Sequence, residues 1–523
     1  MSWDLPAGPF FVPPLKEESG GVDFLGLRQA NLDLIAHCLP GINNVTWHLR
    51  PFSLLCWIYW QFYRLTESRA GAGPSERDLR LFREKVEVLF TWSHQLSGVG
   101  GLPGISAQPQ DDSAQPLLTF EAWGRQTNST SLMAPIQYGP ASKTTAGLGL
   151  LEPVGGSVFR VRGHGIELAE ALNESLSMVA DRSELDRLGS GTATPAYARQ
   201  LLAGWDIRAP TPQERRAFRS ALYNPGHLQQ DDGPGRRSRT LAAIIEVLRS
   251  IPDPCTPQAI RASLTFATLP DGTPLDLPVP LLQAQEWWLV LQLRQAQRLA
   301  LEALFGWIEK EVQCDQAFCA EDLARIASGV LIADPRWPIG DAKVAHLRAE
   351  MRQSLDAIGS WWEVAQGGWG LEPFSLMAEI TEALAADYRA VLAPAFRLLL
   401  LVGRLTELLQ PARHLLPGLD SGGAERISLL SWGRTLDRCE AKTLQDFLRF
   451  VFENFALSQH FAVATRRYDG KSRRLRLTIE ERGIMALTNK PWQPIITPDR
   501  LETGLSLMSE CDLVLQEGER YTA

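Results

Sequence analysis

The chain has 523 residues, with 52 lysines and arginines against 60 aspartates and glutamates, so its formal net charge is −8. This acidic balance excludes a strongly basic nucleic-acid coat protein. Apolar residues make up 45% of the chain and charged residues 21%, which is typical of a globular protein and excludes a disordered or fibrous one. At roughly 150 residues per domain, the length predicts about three folding units.

The seven cysteines are scattered through the chain, a usage typical of a reducing compartment and not of a small disulfide-stabilised secreted domain. Cys314 and Cys319 have no second pair of metal ligands near them in sequence, so we interpret them as buried helix cysteines and predict no metal site and no cofactor. Residues 1–21 lack the basic and apolar regions of a signal peptide. We therefore expect a cytoplasmic protein.

Two apolar segments, residues 54–63 and 391–402, are far shorter than the roughly 20 residues that span a bilayer. Arg397 also interrupts the second segment. We interpret both segments as buried helices and predict no membrane partner.

The N-terminal part of the chain begins with predicted helices at residues 23–38 and 51–67, the second with a proline in its first turn. Ser75, with Asp78 three residues later, predicts the start of a third helix. The composition of residues 97–116 predicts a mobile loop.

A short helix at residues 135–145, a leucine-rich strand near 148–151, a glycine turn, a strand at 158–161 and a helix from 166 follow in order. Helix, hairpin and helix in this order are typical of a winged-helix unit. We predict an N-terminal helical domain over residues 1–182, with such a unit at about residues 130–180.

The middle of the chain, residues 183–416, is predicted to be a helical domain. Shorter helices include residues 212–222 and 239–249, with a flexible segment at 229–237 before the second. Longer helices are predicted at residues 281–312, 321–331, 341–358 and 376–409, the last of them kinked at Pro394. Their apolar stripes predict a helical bundle, whose core includes Trp287, Trp288, Trp307, Trp361, Trp362 and Trp369.

The C-terminal part, residues 417–523, is predicted to be a winged-helix-like domain after a boundary at 417–425. It contains an amphipathic helix at 443–459 and a helix at 498–511. Between them, residues 461–467 and 473–479 flank Asp469-Gly470, a strong hairpin pattern. The expected fold class is therefore mainly α, with a helical bundle in the middle and small winged-helix-like α+β units in the N-terminal third and at the C-terminus.

No motif in the chain names a reaction. The Lys143-Thr144 pair follows a loop that lacks the second glycine of a phosphate-binding loop, and the commonest hydrolase and zinc-protease signatures are missing. Asp334 with Asp341-Ala-Lys343 resembles the carboxylates of a metal-dependent nuclease, but Asp341 is placed where a helix would begin. We therefore assign no catalytic residue and keep a nuclease as an alternative.

A basic cluster surrounds the predicted C-terminal hairpin of this acidic protein. Its members are Arg466, Arg467, Lys471, Arg473, Arg474 and Arg476. A basic β-ribbon can reach the phosphate backbone of double-stranded DNA. The same charges also suit an acidic protein partner, or an exposed strand edge protected from pairing. These three interpretations stay open.

Several stretches together resemble uncharacterised bacterial proteins encoded in anti-phage defence islands. They are residues 25–31 (LGLRQAN), 39–46 (LPGINNVT), Arg50 and 52–59 (FSLLCWIY), and more loosely 147–172 and 460–483. The resemblance implies defence against phage or plasmids, with other defence-system proteins as partners, and implies no reaction. From the residues themselves, Pro40-Gly41 predicts a turn between helices, and Arg50 is predicted to hold that loop against the next helix.

These observations predict a non-catalytic subunit of a prokaryotic anti-phage or anti-plasmid defence system. It would bind nucleic acid or partner proteins through its winged-helix-like units. The alternatives are an effector enzyme, a metal-dependent nuclease whose site the sequence does not reveal, and a pure protein scaffold.

Overall fold

A computed structural model describes residues 16–17, 23–67, 75–104, 115–144, 146–156, 158–337, 340–349, 373–408, 427–468 and 472–523. Over these ranges the protein is mainly helical and carries four two-stranded sheets, three of them antiparallel. The chain divides into two compact units, each made of two separate stretches. The first unit comprises Met1–Leu34 and Leu289–Thr497, and the second comprises Ile35–Trp288 and Pro498–Ala523.

The second unit contains most helices of the N-terminal half and the last helix of the chain. Its helices are the end of Arg28–Cys38, Arg50–Glu67, Glu76–Leu96, Tyr138–Ser142, His164–Ser177, Pro195–Trp205, Pro212–Leu222, Gly233–Ser250, Pro257–Phe266, the start of Val279–Gln313, and Leu501–Glu510. Its antiparallel hairpins pair Leu151–Gly155 with Val158–Val161 and Leu515–Glu517 with Arg520–Thr522. Side chains at the N-terminal ends define several of these helices. The Ser75 hydroxyl accepts from the Asp78 N–H, as predicted, and Thr211 with Glu214 forms a full capping box.

The core of the second unit surrounds the helix Arg50–Glu67. Trp57, Tyr59 and Phe62 are almost completely shielded from solvent, and the helix packs against His164–Ser177. A helix that is apolar on nearly all sides has to lie inside its unit. The dense Trp and Tyr content of this stretch therefore marks the centre of the unit.

The first unit contains residues 289–313 of the long helix Val279–Gln313. The further helices are Ala320–Ala333, residues 344–349, Pro373–Ala386, Leu392–Leu408, Leu429–Cys439, Leu444–Val451 and Ser458–Arg466, with the π-helical stretch Phe452–Leu457 between the last two. An antiparallel hairpin pairs Leu477–Glu480 with Gly483–Ala486, and Lys16–Glu17 pairs in parallel with Ser472–Arg473. The sequence predicted three consecutive domains instead, and the boundaries at 182 and 416 stay predictions.

Most helix predictions are confirmed, and Pro212–Leu222 and Val158–Val161 have the predicted bounds. Trp287, Trp288 and Trp307 are buried as expected. Trp361, Trp362 and Trp369 lie outside the described residues, as does the predicted boundary at 417–425. The same holds for half of the helix predicted at 341–358 and half of the loop predicted at 97–116. Within the described ranges, no helix has both the length and the apolar character needed to cross a lipid bilayer.

The helix predicted at residues 376–409 is two helices with a break and not one kinked helix. Pro373–Ala386 ends before a 3₁₀ turn, Tyr388–Val391, which Asp387 caps by accepting from the Arg389 N–H. Pro394 then lies in the first turn of Leu392–Leu408, where its missing N–H costs no hydrogen bond. The proline therefore begins a new helix. The predicted flexible segment at 229–237 is also partly helical, because Gly233–Ser250 starts within it.

The C-terminal hairpin was predicted at the wrong position. Residues 461–466 belong to the helix Ser458–Arg466, whose buried positions, Gln459, His460, Val463 and Ala464, follow the helical period. The antiparallel hairpin lies further along, at residues 477–486, and turns at Glu481-Arg482. The short alternation at 461–467 was misleading because it also fits one buried helix face. The Asp469-Gly470 dipeptide lies outside the described residues.

Candidate partner-binding surface

The six predicted basic residues do not lie together on one β-ribbon. Arg466 ends the helix Ser458–Arg466, and it is exposed together with Arg467. Arg474 and Arg476 precede the hairpin and are half-buried. Arg473 lies in the short parallel strand pair, and Lys471 lies outside the described residues. The structure therefore divides the predicted cluster into members with different surroundings.

Arg476 is part of the interior of the first unit. Its Nε donates to Glu309 Oε1 at 2.5 Å, and the Glu309 side chain is fully shielded from solvent. Its Nη2 donates to the carbonyl of Lys490, and its guanidinium lies 4.9 Å from the ring centroid of Phe24 and 5.9 Å from that of Trp492. The buried ion pair and the contacts with aromatic rings give this arginine a structural role. Arg476 therefore does not lie on an exposed β-ribbon, and its contact with a ligand stays a prediction.

Arg467 is tied to the start of the helix Arg28–Cys38. It donates to the Asp23 carbonyl at 2.8 Å, and its Nη2 lies 3.3 Å from Asp23 Oδ2. The same carboxylate accepts from the N–H groups of Leu27 and Arg28 at 2.8 and 3.0 Å, so it satisfies donors at the helix start. Arg467 is still 39% exposed. It therefore has a structural role and also one face toward solvent.

The exposed part of this region is apolar as well as basic. We define the hairpin segment as residues 466–486. Its exposed large apolar side chains are Tyr468 (51%), Leu475 (37%), Ile479 (68%) and Met485 (40%). Leu477 and Ile484 point inward and are buried, and the Ile484 N–H donates to the Phe318 carbonyl at 2.8 Å. The register pairs Ile479 with the buried Ile484, and Thr478 with Met485. Because paired residues share a face and neighbours along a strand alternate, Ile479 and Met485 are both exposed but lie on opposite faces of the hairpin.

The helical run over residues 444–466, which precedes the hairpin, does not present a basic face. Its exposed residues include Asp446, Arg449 and Asn454. Arg449 is paired with Glu321 at 2.8 Å and with Glu453 at 2.9 Å. A DNA-reading helix instead presents unbalanced positive charge next to its wing. The charge balance of this run favours a protein partner over DNA.

A π-helical stretch, Phe452–Leu457, interrupts the same run, and sequence reasoning missed it. Phe452 stacks on Trp307 with ring centroids 5.4 Å apart, and Phe455 meets Trp432 edge-on at 5.2 Å. The widened turn serves the packing of buried aromatic rings, although such turns also occur at functional sites. No local pattern announces it, because it depends on rings from other helices.

Asp334, which the sequence analysis considered as a metal ligand of a nuclease site, is paired with an arginine in the structure. The Asp334 carboxylate accepts two hydrogen bonds from the Arg336 guanidinium, at 2.7 and 3.0 Å, and these bonds lower its pKa. Among the residues that the structure describes, no three His, Cys, Asp or Glu side chains are grouped so that they could hold a metal ion. Cys314 and Cys319 are exposed, so their prediction as buried helix cysteines is wrong. They fall in the turn between two helices, where side chains face solvent.

Arg50, at the start of the helix Arg50–Glu67, has a structural role. It is 1% exposed and pairs with the fully buried Glu214 at 2.6 Å. It also donates to the carbonyls of Gly204 and Ala209. Arg50 thus joins its helix to residues 204–214, whereas the sequence predicted that it would hold the loop at 39–46.

Other side chains of the second unit hold that loop. Arg237 donates to the Pro40 carbonyl at 3.0 Å, Arg500 to the Leu39 carbonyl at 3.2 Å, and the Thr240 hydroxyl to the Cys38 carbonyl at 2.6 Å. Cys38 ends its helix, so the Thr240 hydroxyl satisfies a carbonyl of the last helical turn. The two arginines hold the residues that follow the helix.

Comparisons with known proteins add no family and no fold relative. The chain matches no protein-family model, no curated protein and no solved structure. A functional conclusion therefore has to come from the exposed residues of the chain. Sequence reasoning missed Ile479 and Met485, whose exposure depends on the position of the hairpin.

Two fully buried histidines make the stability depend on pH. Burial is the main cause that lowers the pKa of His94, in the second unit, and of His460, in the first, to about 4. The unfolded chain binds these protons with a pKa near 6.5, so their contribution is complete above about pH 6.5 and is lost as the pH falls through about 4. We expect each histidine to remove on the order of 3 kcal/mol over this window, measured by urea unfolding at several pH values.

The variant His460→Gln isolates one of the two contributions. Burial raises the pKa of Glu309, and a raised carboxyl pKa makes stability fall as the pH rises. The histidines have the opposite effect, so the pH dependence of the wild type is the sum of two opposing contributions. The variant should be less stable at pH 7 and should lose less stability than the wild type between pH 6.5 and 4. Parallel curves for the two proteins would contradict the assignment.

Proposed function

We propose that this protein is a non-catalytic subunit of a prokaryotic anti-phage or anti-plasmid defence system that binds a partner protein through the hairpin segment. The observation that carries this proposal is the exposure of Tyr468, Leu475, Ile479 and Met485 next to arginines in a chain of net charge −8. Exposed aromatic, Met and aliphatic side chains combined with Arg are typical of protein interfaces. The arginines suit an acidic rim on the partner.

The defence role rests on the resemblance of the N-terminal signature residues to proteins of defence islands. We also propose that the hairpins at 151–161 and 477–486 belong to winged-helix-like units. In the C-terminal part, Leu429–Cys439 and the helical run over 444–466 precede the hairpin at 477–486, which takes the place of a wing. In the N-terminal third, Tyr138–Ser142, the hairpin at 151–161 and His164–Ser177 follow in the expected order.

Nucleic-acid binding is the second candidate. It is favoured by the short spacing of Arg466, Arg467 and Arg474, since each phosphate that a protein neutralises adds to its affinity. Two observations weigh against it. Arg476 is buried against Glu309, and the charges on the preceding helical run are balanced. A protein partner is therefore the better supported ligand.

The proposal is tested with the double variant Ile479→Asp/Met485→Asp. Both side chains are exposed, so the fold should tolerate the change, while a partner that encloses the hairpin would lose an apolar contact on each of its faces. We expect the purified wild type to bind a protein encoded beside it, and the variant to bind at least about tenfold more weakly in isothermal titration calorimetry. Cells that carry the variant should also lose protection in a phage plaque assay.

The matched control is Ile495→Asp, because Ile495 is 76% exposed in the same unit but lies outside the hairpin segment. It should bind the partner like the wild type. Equal binding by all three proteins would refute the proposed surface. If the wild type instead binds DNA with a steep salt dependence, and Arg466→Glu/Arg474→Glu abolishes this binding, the nucleic-acid candidate replaces the protein partner.

A further inference from the structure

A small cleft in the second unit is lined by basic, aromatic and amide side chains. It lies where residues 37–38, the first turns of Gly233–Ser250 and residues 283–287 meet. The side chains that matter here are His37, Arg236, Arg239, Gln283 and Trp287. The free space in the cleft is about that of one water molecule. A single small chemical group can therefore enter only by displacing a group that lies there now.

The charge of the cleft is positive. Arg236 and Arg239 lie three residues apart on one helix face, and both have the same carboxylate partner, Asp231, at 3.8 and 3.1 Å. Asp231 is 76% exposed, so it is free to turn toward water. The neighbouring Arg237 is 3% exposed and donates to backbone carbonyls. Asp232, the exposed N-cap of the same helix, adds a second carboxylate. Three guanidiniums and two carboxylates leave an excess of one positive charge.

Two further observations show donors available for an anion. The Nε of Arg236 is shielded from solvent and has no hydrogen-bond acceptor among the residues that the structure describes, an arrangement that is costly for a buried donor. His37 lies against Trp287 with ring centroids 4.2 Å apart. Burial first, and then Arg236, lower the pKa of His37 to about 4. The imidazole is therefore neutral at pH 7 and carries one N–H.

We propose that this cleft binds a phosphate group, gripped by Arg236 and Arg239. Guanidinium groups match phosphate oxygens with paired, charge-assisted hydrogen bonds. The Gln283 amide and the neutral His37 ring line the cleft as further donors, and Trp287, which is 9% exposed, forms an apolar wall. Asp231 is the internal competitor that the anion displaces. The phosphate is either inorganic or the terminal group of a small phosphomonoester. This binding is independent of the partner interface proposed above.

The test is isothermal titration calorimetry of the full-length protein with inorganic phosphate at low ionic strength. We expect the wild type to bind and the variant Arg236→Gln/Arg239→Gln to bind at least about tenfold more weakly. The matched control is Arg249→Gln on the same helix, because Arg249 is 63% exposed and pairs with Glu246 outside the cleft. Its affinity should equal that of the wild type. Absence of binding by the wild type, or equal loss in the control, would overturn the proposal.

The variant Asp231→Asn gives a test that does not depend on the folding of the arginine variant. Removing the competing carboxylate should tighten phosphate binding several-fold. The fold should tolerate this change because Asp231 is 76% exposed and its backbone carbonyl, which accepts from Arg236 at 3.1 Å, is retained. Unchanged or weaker binding would show that the anion does not occupy the arginine pair. A parallel titration with glycerol 3-phosphate separates the two sources. A phosphomonoester that binds tenfold more tightly identifies an esterified ligand, and equal affinity identifies inorganic phosphate.

Discussion

Replacing Arg476 by methionine is expected to lower the free energy of unfolding by about 3–5 kcal/mol, because it leaves the buried Glu309 carboxylate without its ion-pair partner. Glu309 also accepts from the Trp492 N–H at 2.5 Å, so the loss also affects the segment that follows the hairpin. Urea unfolding monitored by circular dichroism measures the change. A large loss of unfolding free energy indicates that Arg476 stabilises the fold, whereas an arginine that only binds a ligand would change it little.

Two companion variants make this prediction specific. Arg482→Met changes an exposed arginine at the hairpin turn and should leave the unfolding midpoint unchanged. Glu309→Gln combined with Arg476→Met removes both charges and keeps an acceptor for Trp492, so the double variant should be more stable than Arg476→Met alone. If Arg476→Met unfolds like the wild type, the buried ion pair is not a feature of the folded protein.

Replacing Arg50 by methionine is expected to have an equally large effect in the second unit, about 3–5 kcal/mol. Glu214 would stay buried without its cation, and the carbonyls of Gly204 and Ala209 would lose their donor. The Glu214 carboxylate also accepts from the Thr211 N–H at the start of its helix, so the whole turn at 204–214 should loosen. Faster hydrogen exchange of the amides at 204–214 should accompany the lower unfolding midpoint.

The control for this prediction is Arg208→Met. Arg208 pairs with Asp206 in the same turn at 2.6 Å but is 62% exposed, and exposed pairs contribute little to stability. Its unfolding midpoint should equal that of the wild type. Equal effects of Arg50→Met and Arg208→Met would mean that burial of the Arg50 pair does not decide its contribution.

The basic cluster shows why charge in a sequence does not reveal exposure. Arg466 and Arg476 are ten positions apart in a run rich in arginine, and both were predicted as members of one surface. Arg476 is nevertheless drawn inward by Glu309, which is 167 positions away in the chain. The apolar side chains that support the partner proposal, Ile479 and Met485, were not selected from the sequence, because alternating residues on a hairpin do not say which side is covered.

The position of the C-terminal hairpin illustrates the same limit at the level of secondary structure. Residues 461–467 and a following Asp-Gly dipeptide match a hairpin pattern, yet Val463 and Ala464 pack as part of a helix face. Over seven residues, the buried positions of a helix and those of an alternating strand can be nearly the same. The local pattern therefore cannot distinguish a helix from a strand here. Packing in the first unit decides in favour of the helix.

The sequence by itself determined the mainly helical fold, the start of the helix Glu76–Leu96 at Ser75 and the burial of Trp287, Trp288 and Trp307, because capping, proline position and apolar periodicity act over a few neighbouring residues. Only the tertiary structure decided the register of the hairpin, the π-helical turn at Phe452–Leu457 and the burial of Arg476. Those features depend on long-range partners, Trp307 and Glu309 among them. The free energy that fixes them comes from desolvation and packing between distant stretches, which no local spacing in the chain encodes.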